Sequence, residues 1–255
     1  MKEEQMNNIA LPRHIQRAMV IMAHPDDPEF FCGATVAYMA EQGIEVTYLI
    51  LTDGSKGSDD RTLATRDLIR IRREEQRAAA NVLGVKHVVF FDEPDGELQN
   101  TLDVRRNVVR EIRRYRPDVV IAPDPQRYYF DSGYINHTDH RAAGVIALDA
   151  VFPASQNFRF FPVLLEEGFE PHHVREVWLA GACEPNFELP LDHMFDKRVE
   201  AILQHRSQFS DPEGLVKRLH TWREESGGHV ERYRRLRLVW DEEEEETQNE
   251  RAPAT

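Results

Sequence analysis

Residues 23–30 read AHPDDPEF and follow directly on the apolar run AMVIMA. His24, Asp26 and Asp27 thus crowd the exit of what reads as a buried strand, where ionisable side chains cost folding energy unless something compensates them. A solvated turn is one answer. Pro28 suits the first helical position, which would make Asp27 an N-cap and put Glu29 near the positive helix end. A metal ion is the other answer, because imidazole and carboxylate are ligands for a divalent cation. A second cluster, NHTDHRAAG (136–144), bears on the choice: His137 and His140 are three apart, so at a helix start they face the same way. Three N and O ligands from two strand exits, with a fourth position left to water, make a catalytic zinc site, and neither motif contains a cysteine that would suggest a structural one.

The elements that must position these residues alternate in type. RAMVIMA (17–23), EVTYLILT (45–52), HVVFF (87–91), DVVIAP (118–123) and EVWLAG (176–181) read as strands. Between them, 33–43, 63–84 and 101–115 read as helices, the first two closed by Gly43 and Gly84. Further helical patterns cover 191–209, 214–226 and 230–240. Short apolar strands separated by amphipathic helices predict a Rossmann-like α/β fold, a mostly parallel sheet with helices on both faces. Such sheets bind ligands outside the carboxyl ends of their strands, which is where both histidine motifs fall. No Gly-rich phosphate cradle follows the first strand, which counts against a dinucleotide or P-loop enzyme.

The chain has 255 residues, 41% hydrophobic and 30% charged, the composition of a globular protein. No stretch approaches the roughly 20 apolar residues that span a bilayer. The polar N-terminal stretch and only two cysteines, Cys32 and Cys183, lead us to expect a cytoplasmic protein without a disulfide framework. Of the net charge of -13, the segment 241–255 carries seven acids and one Arg. We therefore read 1–240 as one domain and 241–255 as an acidic, disordered tail. An acidic body argues against nucleic acid as a partner. A homo-oligomer is compatible with the pattern.

AHPDDPEF after a first strand, RREEQRAAANVLGV, RPDVVIAPDP and then NHTDHRAAG together resemble the LmbE-like, or PIG-L, family of zinc-dependent N-deacetylases over about residues 17–210. The resemblance implies hydrolysis of the acetamide of an N-acetylglucosamine-type sugar or conjugate. It implies zinc ligands at His24, Asp27 and His140, a general base at Asp26, and an oxyanion-stabilising and acidic group at His137 supported by Asp139. It also matches Arg72 to a helix arginine that reaches toward substrate or orients the rim. Asp139 beside His137 should raise its pKa and favour the charged form. Pro28 departs from the family pattern, as does the aromatic insertion DPQRYYFDSGYI (124–135), whose Tyr128 and Tyr129 are candidates for stacking on a sugar ring. Glu29 is the next carboxylate on the rim.

Other histidines (His87, His172, His173, His193, His205) have no matching partners and read as structural or solvated, and DEPDGE (92–97) reads as a turn on Asp95-Gly96. The competing functions are an amidase of another sugar or thiol conjugate and a non-catalytic sugar-binding module. Because 241–255 has no apolar periodicity to bury, its deletion should leave melting temperature and turnover unchanged. A clear drop in either, measured by thermal denaturation and product release, would show that the segment docks.

Overall fold

After the exposed Arg17, every residue of the first strand is apolar because both of its faces are covered. Ala18, Val20 and Met22 point into one hydrophobic cluster, while Met19, Ile21 and Ala23 point into another on the opposite side. The computed structural model describes residues 11–239, so the acidic segment 241–255 lies outside the described residues. The elements run β1 (Arg17–Met22), α1 (Asp27–Glu41), β2 (Glu45–Thr52), α2 (Thr65–Leu83), β3 (His87–Glu93), α3 (Leu102–Tyr115), β4 (Val119–Pro123) and α4 (Thr138–Asp149). After a π-turn at Ala150–Ser155 come α5 (Val163–Glu166), β5 (Glu176–Ala180), β6 (Phe187–Pro190), α6 (Phe195–Ile202), α7 (Pro212–Glu225) and β7 (Val230–Arg237). They form one seven-stranded sheet in the order β3-β2-β1-β4-β5-β7-β6. The pairs β1–β2, β1–β4, β2–β3 and β4–β5 are parallel, and β7 pairs antiparallel with both β5 and β6. The expected α/β architecture with a mostly parallel sheet is therefore the observed one. Among the described residues no helix is long and apolar enough to cross a membrane.

The strand order reverses between β2 and β4 on either side of β1, which places a crevice at the exits of β1 and β4. Both histidine motifs lie there.

Three expectations need correction. Residues 230–240 were expected to be helical, yet 230–237 form β7, with Glu231 and Tyr233 buried and Arg232 and Arg234 exposed. The period of two was disguised because one inward residue is a glutamate. Its carboxylate accepts from the backbone N–H groups of Ala34 (3.0 Å) and Thr35 (2.8 Å) and from the Tyr233 hydroxyl (3.0 Å). The expected helix over 191–209 is broken into α6 and two 3₁₀ turns, Asp192–Met194 and Arg206–Gln208. The helix after β1 starts at Asp27 with Asp26, not Asp27, in the capping position, and no side chain caps it. Asp27 is drawn instead toward the two histidines.

α1 also breaks at Cys32, whose φ of -153° is not helical. The break frees backbone groups on both sides. Arg198 Nε donates to the Glu29 carbonyl (3.0 Å) and Arg198 Nη2 to the Phe30 carbonyl (3.0 Å), while Glu231 takes the two N–H groups beyond the break. Gly33 lets Arg198 pass, since a Cβ there would meet Arg198 Cγ at 3.0 Å.

At the other end of this C-terminal segment, Asp192 ties α6, α7 and β7 together. It accepts from Arg223 Nε and Nη2, both at 2.6 Å, and from the His229 N–H at 2.9 Å. The Arg223 hydrogen bonds hold its carboxyl down to about 2. A depressed carboxyl stabilises the fold above its unfolded value of 3.8, and the contribution is lost as pH falls through about 2. With the Asp192 side chain 36% exposed, solvent screening limits the pair to about 1 kcal/mol. Asp192→Asn should lower the melting temperature by about 2–4 °C at pH 7. That difference should close on acidification below pH 3.8, and thermal melts that coincide at pH 7 would contradict the assignment.

Candidate active site

The turn after β1, the start of α4 and the loop after β3 meet at the crevice and enclose a cavity of about 990 Å³. Its polar lining includes His24, Asp26, Asp27, Arg72, Asp95, His137 and His140, and its aromatic lining is Phe30, Phe31, Phe130, Tyr134 and Trp222.

Asp27 is the centre of the polar lining. Its Oδ2 lies 3.3 Å from His24 Nδ1 and accepts from the His24 backbone N–H at 2.8 Å, while its Oδ1 lies 3.0 Å from His140 Nε2. Two imidazoles thus turn one nitrogen each toward a single carboxylate. Their other nitrogens are held from behind: His24 Nε2 lies 3.1 Å from Asp139 and 3.3 Å from Asp95, and His140 Nδ1 lies 2.9 Å from Asn136 Oδ1. A carboxylate or carbonyl behind each ring is the arrangement that orients metal-ligating histidines. Two groups of side chains also bring ligand atoms within 4.8 Å of one another, His24 with His137 and His140, and His24 with Asp95 and Asp139.

Charge supports the same reading. Burial opposes ionisation of Asp27, yet the charges of His140 and His24 hold its carboxyl well below the usual range. Burial likewise opposes protonation of His24, and the Asp27 charge with the Asp139 hydrogen bond overrides it, raising the ring well above its ordinary value. A cluster that stabilises positive charge this strongly among imidazole and carboxylate donors fits a divalent cation.

Asp26 stands beside this group with its carboxyl 20% exposed. Burial pushes it up to about 6, against the pull of Arg72 and with the push of Asp27. Its φ of 93° is in the left-handed region that non-glycine residues rarely enter.

His137 corrects an expectation. It caps α4, with Nδ1 accepting the Asp139 N–H at 3.2 Å. Burial, then the charge of His24, lower its pKa despite the carboxylate of Asp139. This shift disfavours the charged ring, and the Asp139 N–H on Nδ1 leaves Nε2 as the donor position. Asp139 itself serves His24 rather than His137: it lies 4.0 Å from His137 Nδ1 and 3.1 Å from His24 Nε2, and accepts from the backbone N–H groups of Gly96 (2.6 Å) and Leu98 (3.2 Å).

The substrate-contact candidates fare unevenly. Arg72 lines the cavity but is held by the protein itself, donating to the carbonyls of Pro25 (2.7 Å) and Gly54 (2.9 Å) and lying 3.5 Å from Asp26 Oδ1 and 3.8 Å from Asp95 Oδ2. Glu29 has no exposed surface and lies behind the cavity against Gln76 and His205, so it does not reach a substrate. Tyr128 and Tyr129 are exposed and do not line the cavity, because residues 128–136 fold into a hairpin with Tyr129 bridged to Ile135. Phe130 and Tyr134, on either side of the hairpin tip, line the cavity instead. Sequence reasoning missed Asp95, Asn136, Gln76, His205 and Trp222. Asp95 at a strand exit was the one with a usable signal, being on the same rim as the motifs.

Comparison with known proteins now bears on this geometry. Residues 19–151 match the family model described as PIG-L: GlcNAc-PI de-N-acetylase. The diacetylchitobiose deacetylase of Thermococcus kodakarensis is 34% identical over 198 residues, covering 77% of this chain and 72% of that protein. A probable N-acetyl-alpha-D-glucosaminyl L-malate deacetylase of Bacillus anthracis is 27% identical over 81% of this chain and 86% of its own length. The structure of N,N'-diacetylchitobiose deacetylase from Pyrococcus horikoshii superposes with a TM-score of 0.80 at 31% identity, covering 88% of this chain and 85% of that one. On these matches, this chain belongs to the PIG-L family.

Proposed function

We propose that the chain is a zinc-dependent hydrolase that removes the acetyl group from an N-acetylglucosamine-type sugar or its conjugate. The observation that carries the reading is the convergence of His24 Nδ1 and His140 Nε2 on the Asp27 carboxylate, beside the Asp26 carboxyl, whose Oδ1 lies 3.5 Å from Arg72 Nη2. His24, Asp27 and His140 would hold the zinc, which supplies Lewis acidity toward the amide carbonyl and the attacking water. Asp26 takes the proton of that water on a carboxylate oxygen. Its value near 6 suits a base that works close to neutral pH. His137, neutral and protonated on Nε2, donates a hydrogen bond to the carbonyl oxygen as negative charge builds there. Asp26 then passes its proton to the leaving nitrogen, so the C–N bond breaks to give acetate and a free amine. Asp139 and Asn136 keep the two ligand rings oriented. Cys32 and Cys183 remain unpaired, in keeping with a reducing, cytoplasmic setting.

Acetate release from N-acetylglucosamine and diacetylchitobiose, with and without chelator, tests the reading. Activity should disappear on metal removal and return with zinc, and His140→Ala should fail to retain zinc. No acetate from either sugar, or activity indifferent to chelation, would overturn it. Asp26→Ala and His137→Ala should keep stoichiometric zinc and each lose at least about 10²-fold in turnover.

The pH profile follows from the same assignment. A general base works only when deprotonated, so turnover should fall as pH drops through the Asp26 value, at or below about 6 because a neighbouring cation favours the carboxylate. With His137 already neutral, removing it should lower turnover without reshaping either limb. A His137→Ala profile that loses an alkaline limb would show that the ring acts in its charged form.

A further inference from the structure

Asp26 holds its left-handed backbone through a peptide clamped at both ends. The bond between Pro25 and Asp26 presents a carbonyl on one side and an N–H on the other. Arg72 Nη2 donates to the Pro25 carbonyl at 2.7 Å, and the Asp26 N–H donates to Gln76 Oε1 at 2.8 Å. Arg72 and Gln76 are four residues apart on α2, so one face of one helix grips both poles of the peptide. Rotation of that peptide would change φ of Asp26, and the clamp forbids it.

The polarity of the clamp is set from deeper in the protein. Gln76 has an acceptor and a donor end that occupy the same space if the amide flips. Its Nε2 donates to both oxygens of Glu29, at 3.0 and 3.2 Å, which leaves only Oε1 for Asp26. Glu29 is fixed in turn by His205 Nε2 at 3.0 Å, and Arg198 holds its backbone carbonyl. Gln76, Glu29 and His205 are each 0% exposed, so bulk water does not take over a lost link.

We propose that Gln76 is the positioning residue for Asp26, with Glu29 and His205 fixing which end of its amide faces the base. The proposal rests on the deacetylase reading, in which Asp26 moves the proton. It gives the buried Glu29 and His205 a role that neither substrate contact nor metal ligation supplies.

Gln76→Met keeps the length of the side chain and removes the acceptor. Zinc content should stay at the wild-type level, KM should change less than about threefold, and kcat should fall at least about tenfold, since a misplacement of about 1 Å costs on the order of 10²-fold. Combined with Asp26→Ala, the same substitution should cost nothing further, because its effect runs through the carboxyl that is gone. Equal losses in both backgrounds would reveal general damage and overturn the proposal. Gln76→Asn, which draws the amide back by one methylene, should show the same split if Gln76→Met does not fold. A second readout needs no variant: the Asp26 amide of the wild-type protein should be strongly protected from hydrogen exchange. Exchange as fast as that of the exposed 58–62 loop would overturn the clamp. Should Asp26→Ala retain wild-type turnover, the base assignment fails, and the amide measurement still judges the clamp on its own.

Discussion

The Asp27 carboxylate, 6% exposed at the mouth of the central crevice, is the constraint around which the site is organised. A buried anion is tolerated only where partners compensate its lost hydration. Here two histidines from different elements do so, His24 from the end of β1 and His140 from the first turn of α4. His24 is buried as well and His140 half-buried, and so each needs its own support. Asp139 and Asp95 stand behind His24, and Asn136 behind His140. Gly96 and Leu98 then donate backbone N–H groups to Asp139. The position of the loop after β3 is therefore a consequence of the charge placed after β1. Removing one partner from a buried pair costs about 3–5 kcal/mol, so the cluster stands as a unit.

The same logic explains why a PIG-L chain keeps so much ionic structure beneath its catalytic rim. Asp26 takes a strained conformation at the helix start, and the helix that follows breaks at Cys32. Strain of this kind, of order 1–3 kcal/mol per residue, persists only where the surroundings over-determine it. On one side Arg72 and Gln76 hold the peptide before Asp26. On the other, Arg198 and Glu231, 3.8 Å apart, satisfy the backbone groups that the break exposes.

Much of this was legible in the sequence, and the reasons for the remainder are specific. β1, β2 and α2 could be read because continuous apolar runs and a 3.6 period leave no competing pattern. The two histidine motifs could be read because each sits at a strand exit. β7 could not, since its inward positions include Glu231, and a period search scores an inward charge as solvent-facing. β6 is four residues long and ends in Pro190, tolerable only because it is the edge strand. Glu29 reads as a rim carboxylate from its place at a helix start, but the chain turns it inward toward His205, which is 176 residues away. No local signal marks such a pair. The downward shift of His137 was equally hidden, because sequence shows the adjacent Asp139 and not the burial and the neighbouring His24 charge that outweigh it.

The polar and aromatic linings of the cavity draw on partly different stretches of the chain, with Phe30 and Phe31 of α1 following closely on Asp26 and Asp27. His24, Asp26, Asp27, Arg72, Asp95, His137 and His140 all fall within the segment 19–151 that matches the family. The aromatic lining also draws on the 128–136 hairpin and on Trp222 of α7, the latter outside that segment. An aromatic face can stack on the apolar face of a sugar ring without dictating which groups the ring carries, whereas the polar lining fixes the geometry of a single amide. Changes in the hairpin or in α7 therefore alter the aromatic lining while leaving His24, Asp26, Asp27, His137 and His140 where the end of β1 and the start of α4 hold them. The C-terminal segment is not free to vary as a whole, however. Arg198, His205 and Glu231 reach back to the backbone and side chains around residues 29–35, so the part of the chain that shapes the wall also holds up the floor.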